Sequence, residues 1–141
     1  RAALHSLEPF AVLAAPYLEV NLRSLELMVV PNVDAVGRGF VLHYAWGHVG
    51  MTYPTDASQL AQLPGYGVFG VTSEGGFSTH VGACPLGAAI SAQMKPEPLV
   101  GGRPCLFYSL FFGDSDEDSD PEVTVVFRFD TTCRGVDLVF V

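Results

Sequence analysis

The chain has 141 residues, of which 49% are hydrophobic and 16% charged, and its formal net charge is −8. This composition excludes a disordered protein, because disorder requires low hydrophobicity and high charge. The negative charge argues against a domain that holds nucleic acid by a basic face. We therefore expect residues 1–141 to form one acidic globular domain, with an apolar surplus that either fills the core or contacts other copies.

The cysteines and the hydropathy pattern limit the setting of this domain. Cys84, Cys105 and Cys133 include no CxxC pair, which predicts buried reduced thiols rather than a disulfide framework. No apolar run approaches the roughly 18 residues that span a bilayer, so we expect no membrane contact. No secretory signal is visible. Because the sequence begins at Arg1, it leaves open whether a leader or an arm precedes that residue.

The first elements are a short helix and a strand with an irregularity. A helix is predicted over Glu8–Ala15, with Ser6 as a possible N-cap and Pro16 as a stop. The apolar residues that follow alternate with one parity and then with the other, and the phase changes at Arg23–Ser24. A β-bulge adds one residue and exchanges the two faces of a strand in this way. The alternating residues are Leu18, Val20 and Leu22, then Leu25, Leu27 and Val29.

Most of the later segments are also predicted as strands. Clear alternation covers Phe40, Leu42, Tyr44 and Trp46; Val123, Val125, Phe127 and Phe129; and Val136, Leu138 and Phe140. Weaker strands are expected near Gly67–Val71, Phe77–Val81 and Ala88–Gln93. Cys105–Phe112 is apolar almost throughout, which predicts a strand buried on both faces. A second helix is predicted over Asp56–Leu63, where Asp56 and Gln59 resemble a capping box. Short strands separated by turn residues favour a β-sandwich or barrel.

One polar segment stands out. Six acidic residues lie within residues 114–122, and they are open to three interpretations. They form a solvated loop kept extended by repulsion, a pH-sensitive repulsive patch between copies, or a site for a divalent cation such as calcium shared between subunits. The candidate cation ligands are Asp114, Asp116, Asp118 and Asp120, although the spacing of an EF-hand is missing.

No motif predicts catalysis or a bound cofactor. The glycine pairs lack the spacing and the following helix of a phosphate-binding loop, and no serine or cysteine lies in a nucleophile motif. His43 and His48 are five residues apart, a spacing that places two side chains on opposite faces of a strand. We therefore predict no catalytic residue, no cofactor and no firm metal site. A cupin-like metal enzyme that uses these two histidines remains a rival interpretation.

Several short motifs, in the same order, resemble the coat proteins of tymoviruses. Leu22–Pro31 is similar to a family strand that ends at a proline, and Phe40–Trp46 is similar to the next apolar strand, which closes near a tryptophan. The other motifs are Asp56–Leu60 followed by Gly65-Tyr-Gly67, then Gly75-Gly76, Cys84-Pro-Leu86 and Arg103-Pro-Cys-Leu106. Two departures from the family are the acidic run and a shorter segment ahead of the matched region, where the family has its first strand. That strand is either squeezed into the opening residues, absent, or lost ahead of Arg1.

This resemblance implies an all-β fold, an eight-stranded jelly-roll β-sandwich with two short connecting helices. It implies a viral coat protein that self-assembles into a non-enveloped icosahedral shell around an RNA genome, located in the virion and made in the host cytoplasm. The implied partners are other copies or related coat subunits, and packaged RNA bound weakly at the inner face. His5 and His80 are candidates for that contact because they titrate near neutral pH. The alternative is a ligand- or carbohydrate-binding jelly-roll module, lectin-like or trimeric cytokine-like.

Overall fold

The computed structural model describes residues 1–31, 40–71, 80–98, 101–112 and 123–136. Within these ranges the chain forms eight strands, a 3₁₀ turn at Leu4–Ser6 and two short helices. The helices are α1 (Glu8–Ala14) and α2 (Ala57–Leu60), and neither is long and apolar enough to cross a membrane. The strands are β1 (Ala2–Ala3), β2 (Tyr17–Pro31), β3 (Phe40–His48), β4 (Gly67–Val71), β5 (His80–Ala83), β6 (Gln93–Lys95), β7 (Pro104–Phe112) and β8 (Val123–Val136).

These strands form two antiparallel sheets. The first sheet has the order β1-β7-β3-β4. The second is built around β2, which pairs along its length with β8 on one side and with β5 and β6 on the other. One buried cluster takes side chains from both sheets, and Trp46 of β3 lies against Phe127 of β8 at 5.8 Å between ring centroids. The predicted all-β sandwich with eight strands and two short helices is confirmed.

The predicted bulge in β2 is present. Leu22 pairs with Thr131 and Ser24 with Asp130, so Arg23 has no partner of its own on β8. The extra residue restores the inward direction of the apolar residues after it, and the inward set on both sides of the bulge is Val20, Leu22, Leu25, Leu27 and Val29, all buried. Leu18 is the exception, because it lies exposed over Gly135 near the end of β8.

The predicted pattern of burial is confirmed for strand β3, whereas the prediction for β7 was wrong. Phe40, Leu42, Tyr44 and Trp46 are all buried and line the core. Strand β7 was expected to be buried on both faces along its length, but only Pro104–Phe107 is. Tyr108 is 51% exposed and Phe111 is 48% exposed. Phe111 is exposed because the described residues cover the outer face of only the first half of β7. Tyr108 is on the inner face, where it lines an opening between the two sheets together with Leu106 and Leu110.

Three boundaries also differ from the sequence predictions. Ser6 does not cap α1, because Leu7 occupies the N-cap position and makes no side-chain capping bond. Asp56 does cap α2, with its Oδ1 accepting a hydrogen bond of 2.9 Å from the Gln59 backbone N–H, but the helix is shorter than predicted. Strand β8 extends beyond the strand expected over Val123–Phe129 and ends at Val136, and the rest of the last expected strand lies outside the described residues. Residues 130–136 continue the pairing because the long β2 strand offers them partners.

The weaker predictions have mixed outcomes. Strand β4 has the predicted bounds, Gly67–Val71. Strand β5 begins at His80 within the described residues, and β6 covers Gln93–Lys95 rather than Ala88–Gln93. The acidic run 114–122, with Asp114, Asp116, Asp118 and Asp120, lies outside the described residues, as do Leu138 and Phe140.

Candidate functional site

The outward faces of the two sheets differ in chemistry. On the second sheet, charged side chains from β2 and β8 form cross-strand ion pairs. Arg23 Nη2 lies 2.7 Å from Asp130 Oδ2, and Arg128 Nε lies 3.1 Å from Glu26 Oε1. All four residues stand on strands at the protein surface, where such pairs contribute little stability because water screens them. The middle of this face is therefore polar, and its charges are paired within the protein, whereas Val81 of β5 is 47% exposed on the same face beside Met28.

The outward face of the first sheet is covered over one half by the chain itself. Residues 49–63, which include α2, fold across the start of β7 and the end of β3. They bury a second small cluster that contains Ala45, Leu60, Cys105 and Phe107. Val49, Met51 and Leu63 complete its cover. This cover explains why the outer side chains of Pro104–Phe107 are buried.

The other half of that face is an exposed, mostly apolar surface, which we call the aromatic patch. Its members are Val41, Tyr66, Val68 and Phe111, with exposed fractions of 37%, 36%, 46% and 48%, arranged around His43. Val41 pairs with Phe111 across β3 and β7, and His43 pairs with Val68 across β3 and β4, so the side chains are direct neighbours. The sequence alternation on β3 could indicate this outward set, but not that it would stay uncovered.

A second apolar opening, the edge groove, lies between the two sheets on the side of β8. It has a volume of about 540 Å³ and is lined from both sheets, the 3₁₀ turn and α1. The side chains that line it include Leu106, Tyr108, Leu110, Val125, Phe127 and Phe129. Within the described residues β8 pairs only with β2, so its other edge, which borders the groove, is free. Such an edge suits an additional strand better than a small ligand.

Between the sheets, Tyr44 of β3 reaches across to His80 of β5. The Tyr44 hydroxyl, whose pKa burial raises, is hydrogen-bonded to His80 Nε2 at 2.6 Å. The His80 ring also stacks on Phe69 at 5.2 Å. Gly67 and Gly82 lie against the Tyr44 ring, where a Cβ on either would stand under 3.0 Å from it. The missing side chains of these two glycines therefore make room for the tyrosine.

The structure separates the histidines that the sequence singled out. His43 lies in the aromatic patch, and His48 stands at the far end of β3, where its side chain packs beside Gly102. His80 is engaged by Tyr44. Burial, followed by the charge of Arg103, lowers the pKa of His5, and His5 Nδ1 is buried without a hydrogen-bond partner among the described residues. Across residues 1–31, 40–71, 80–98, 101–112 and 123–136, no three metal-ligating side chains come together.

The cysteines are placed as buried or half-buried thiols. Cys84 and Cys105 are buried, Cys133 is half-buried, and all three are free. Burial raises the pKa of Cys84 to about 12. Burial also raises the pKa of Cys105, although the charges of Arg1 and of the N-terminus oppose that effect. Neither buried thiol is therefore an activated nucleophile, because the reactive form is the thiolate.

Comparison with solved structures identifies the architecture. The structure of Desmodium yellow mottle tymovirus matches with a TM-score of 0.81 and 14% sequence identity, over 99% of this chain and 72% of that one. This is the fold of tymovirus capsid proteins. Turnip yellow mosaic virus matches with a TM-score of 0.76 and 16% identity, over 99% of this chain and 73% of that one. Its structure at 100 K matches with a TM-score of 0.70 and 17% identity, over 96% and 84%.

The likeness is one of fold rather than of close sequence. No protein-family model matches the chain, and the search of curated proteins finds no match either. The resemblance suggested by the ordered motifs is nevertheless confirmed at the level of fold, because the matches extend over nearly the whole chain. The jelly-roll fold class predicted from the sequence is confirmed with it.

Proposed function

We propose that this protein is a viral coat subunit that self-assembles into a non-enveloped icosahedral shell enclosing an RNA genome. The observation that carries the proposal is the match of 99% of the chain to the Desmodium yellow mottle tymovirus structure. The two-sheet sandwich presents an apolar face and a free strand edge, which are surfaces suited to contact with other subunits. Its place of action would be the virion, after synthesis in the host cytoplasm.

A structural rather than an enzymatic role fits the described residues. The proteins with the matching fold come from virus particles. His43 and His48 stand apart on β3, which removes the geometric support for a cupin-like metal site between them. No comparison favours the ligand- or carbohydrate-binding alternative, and the apolar edge groove lacks the convergent polar groups expected of a sugar site.

We propose that contacts with packaged RNA are weak. The chain has only seven Lys and Arg residues, and several already have partners within the protein. Arg23 and Arg128 are paired with carboxylates, and Lys95 Nζ donates to the carbonyl oxygens of Ala14 and Ala15 at the end of α1. Few cations therefore remain to neutralise phosphates. His5 and His80 stay proposed as groups that make such contacts.

We also propose that residues 1–141 form one domain and that the first strand of the jelly roll belongs at the free edge of β8. The main buried cluster joins both sheets, the 3₁₀ turn and α1 into a single core. Strand β1 pairs with β7, not with β8. The edge groove leaves apolar side chains of β8 uncovered, which supports a further strand there.

The test of the coat function is assembly of the purified chain. We expect uniform hollow shells by negative-stain electron microscopy after size-exclusion chromatography, over a series of salt concentrations and pH values. A chain that stays monomeric under every condition would refute the proposal.

The acidic run has a separate test within the same assay. We propose that Asp114, Asp116, Asp118 and Asp120 act at contacts between subunits, where they bind a divalent cation or repel each other. Replacing Asp116 and Asp118 by Asn should then change the dependence of assembly on calcium or pH. Unchanged dependence would assign the run to a solvated loop.

A further inference from the structure

The aromatic patch is the half of a sheet face that the described residues leave uncovered. Residues 49–63 bury the outer side chains at one end of β3 and β7. The same two strands continue beyond that cover, with Val41 and Phe111 side by side and both exposed by more than a third. Contiguous exposed apolar surface is typical of sites where a protein contacts a partner.

The side chains of the patch contact one another. The Tyr66 hydroxyl and His43 Nδ1 are hydrogen-bonded at 2.7 Å. The ring of Phe111 meets the His43 ring edge-on, with 5.3 Å between centroids. Tyr66 and Phe111 thus flank His43, and the three rings keep defined positions. A surface ordered before contact loses less side-chain entropy when a partner docks.

Charge indicates which partner fits this surface. A second copy of the chain also carries a net charge of −8, so two copies repel each other less where they meet through uncharged side chains than where carboxylates face each other. Val41, Tyr66, Val68 and Phe111 have uncharged side chains, whereas the outward face of the second sheet carries ion pairs, through Glu26 and Asp130, that a partner would have to desolvate. The same four residues offer no Lys or Arg to phosphates, which disfavours nucleic acid as the occupant.

We propose that the aromatic patch is a contact surface for a second copy of this chain. This inference deepens the proposed coat function and rests on it. The patch supplies the apolar centre of the contact, and polar side chains around it form the rim. Phe111 and Val68 are the residues expected to be most protected from water when two copies meet.

The test compares substitutions in the patch with a matched substitution on the other sheet. Phe111→Glu places a carboxylate at an exposed position of β7 that the contact would desolvate. Thr124→Glu adds the same charge at an exposed position of β8, on the opposite outward face. Val68→Thr is a milder second variant that keeps the branched shape while replacing a methyl by a hydroxyl. Circular dichroism and thermal melting confirm that each variant is folded.

The expected result is loss of association only in the patch variants. Phe111→Glu should raise the protein concentration needed for assembly by about tenfold or more, because an unpaired charge would be buried. Val68→Thr should raise it by a smaller factor, and Thr124→Glu should match the wild type. Hydroxyl-radical labelling of Tyr66 and Phe111 should fall when subunits assemble.

The outcomes separate this inference from the proposed function. If the wild type assembles and folded Phe111→Glu assembles equally well, the patch inference is overturned and the coat function stands. Equal labelling of Phe111 in subunits and particles would overturn it as well. If the wild type forms no particles, the coat function fails, and sedimentation equilibrium then decides the inference. A wild-type dimer weakened by Phe111→Glu supports the patch contact, and a wild-type monomer overturns it.

Discussion

The bond between Tyr44 and His80 ties the two sheets together, and Tyr44→Phe tests its contribution. Tyr44 is only 4% exposed, and its hydroxyl lies 2.6 Å from His80 Nε2. The substitution keeps the ring and removes one hydrogen bond, for which the net contribution to stability is about 1 kcal/mol. The His80 ring is half-buried, so its nitrogen can regain water and the loss should stay near that value. We expect the free energy of unfolding to fall by about 1 kcal/mol and the Tm by about 4 °C.

The assay is urea unfolding of the unassembled subunit, followed by circular dichroism. Tyr108→Phe is the control, because Tyr108 is 51% exposed and its substitution should change stability by less than about 0.5 kcal/mol. His80→Phe completes a double-mutant cycle, since it retains a ring to stack on Phe69 but cannot accept or donate the bond. A coupling energy of about 1 kcal/mol is expected. Additive effects, or a loss no larger than that of the control, would refute a bond between the sheets.

Three further predictions follow from the described geometry. Gly67→Ala should destabilise the fold by about 1–3 kcal/mol because its Cβ would overlap the buried Tyr44 ring. The control, Gly70→Ala, has its nearest contact at 3.8 Å and should be neutral or slightly stabilising in thermal melts. Equal Tm values for the two variants would contradict the predicted overlap. The folded state lowers the pKa of His5 below 6.5, so the unfolded state binds more protons as pH falls through 6.5, and the free energy of unfolding should fall below that pH. His5→Gln should flatten the dependence of the free energy of unfolding on pH, measured by urea unfolding. An unchanged pH dependence in this variant would contradict the role of His5. Cys84, with its pKa raised to about 12, should resist iodoacetamide at pH 8 until the protein unfolds; labelling in the native state, followed by mass spectrometry, would contradict the burial.

The sequence predicted the inward faces of single strands well, because alternation is a property of one strand. The parity change at Arg23–Ser24 correctly indicated the bulge, and the set from Phe40 to Trp46 correctly indicated the core face of β3. The cap of α2 by Asp56 was predictable for a similar reason, since a cap involves residues only three positions apart.

The end of the chain shows where local pattern fails. Thr131, Thr132 and Arg134 look like a break between two apolar sets, yet they continue β8 because β2 is long enough to pair with them. A strand's length depends on its partner, which lies about a hundred positions away in sequence. The bond from Tyr44 to His80 likewise joins residues 36 positions apart in facing sheets, and no spacing rule indicates it.

For the candidate contact surface, the sequence and the tertiary structure contributed different things. Composition alone showed that 49% of the residues are hydrophobic, at a net charge of −8, and alternation showed which side of each strand is apolar. Only the packed structure showed where the surplus lies. In the packed structure, the outward side chain of Phe107 is buried under α2, whereas Phe111, four residues later on the same side of β7, is exposed. Periodicity specifies the direction of a side chain, whereas its burial depends on what other parts of the chain bring over it.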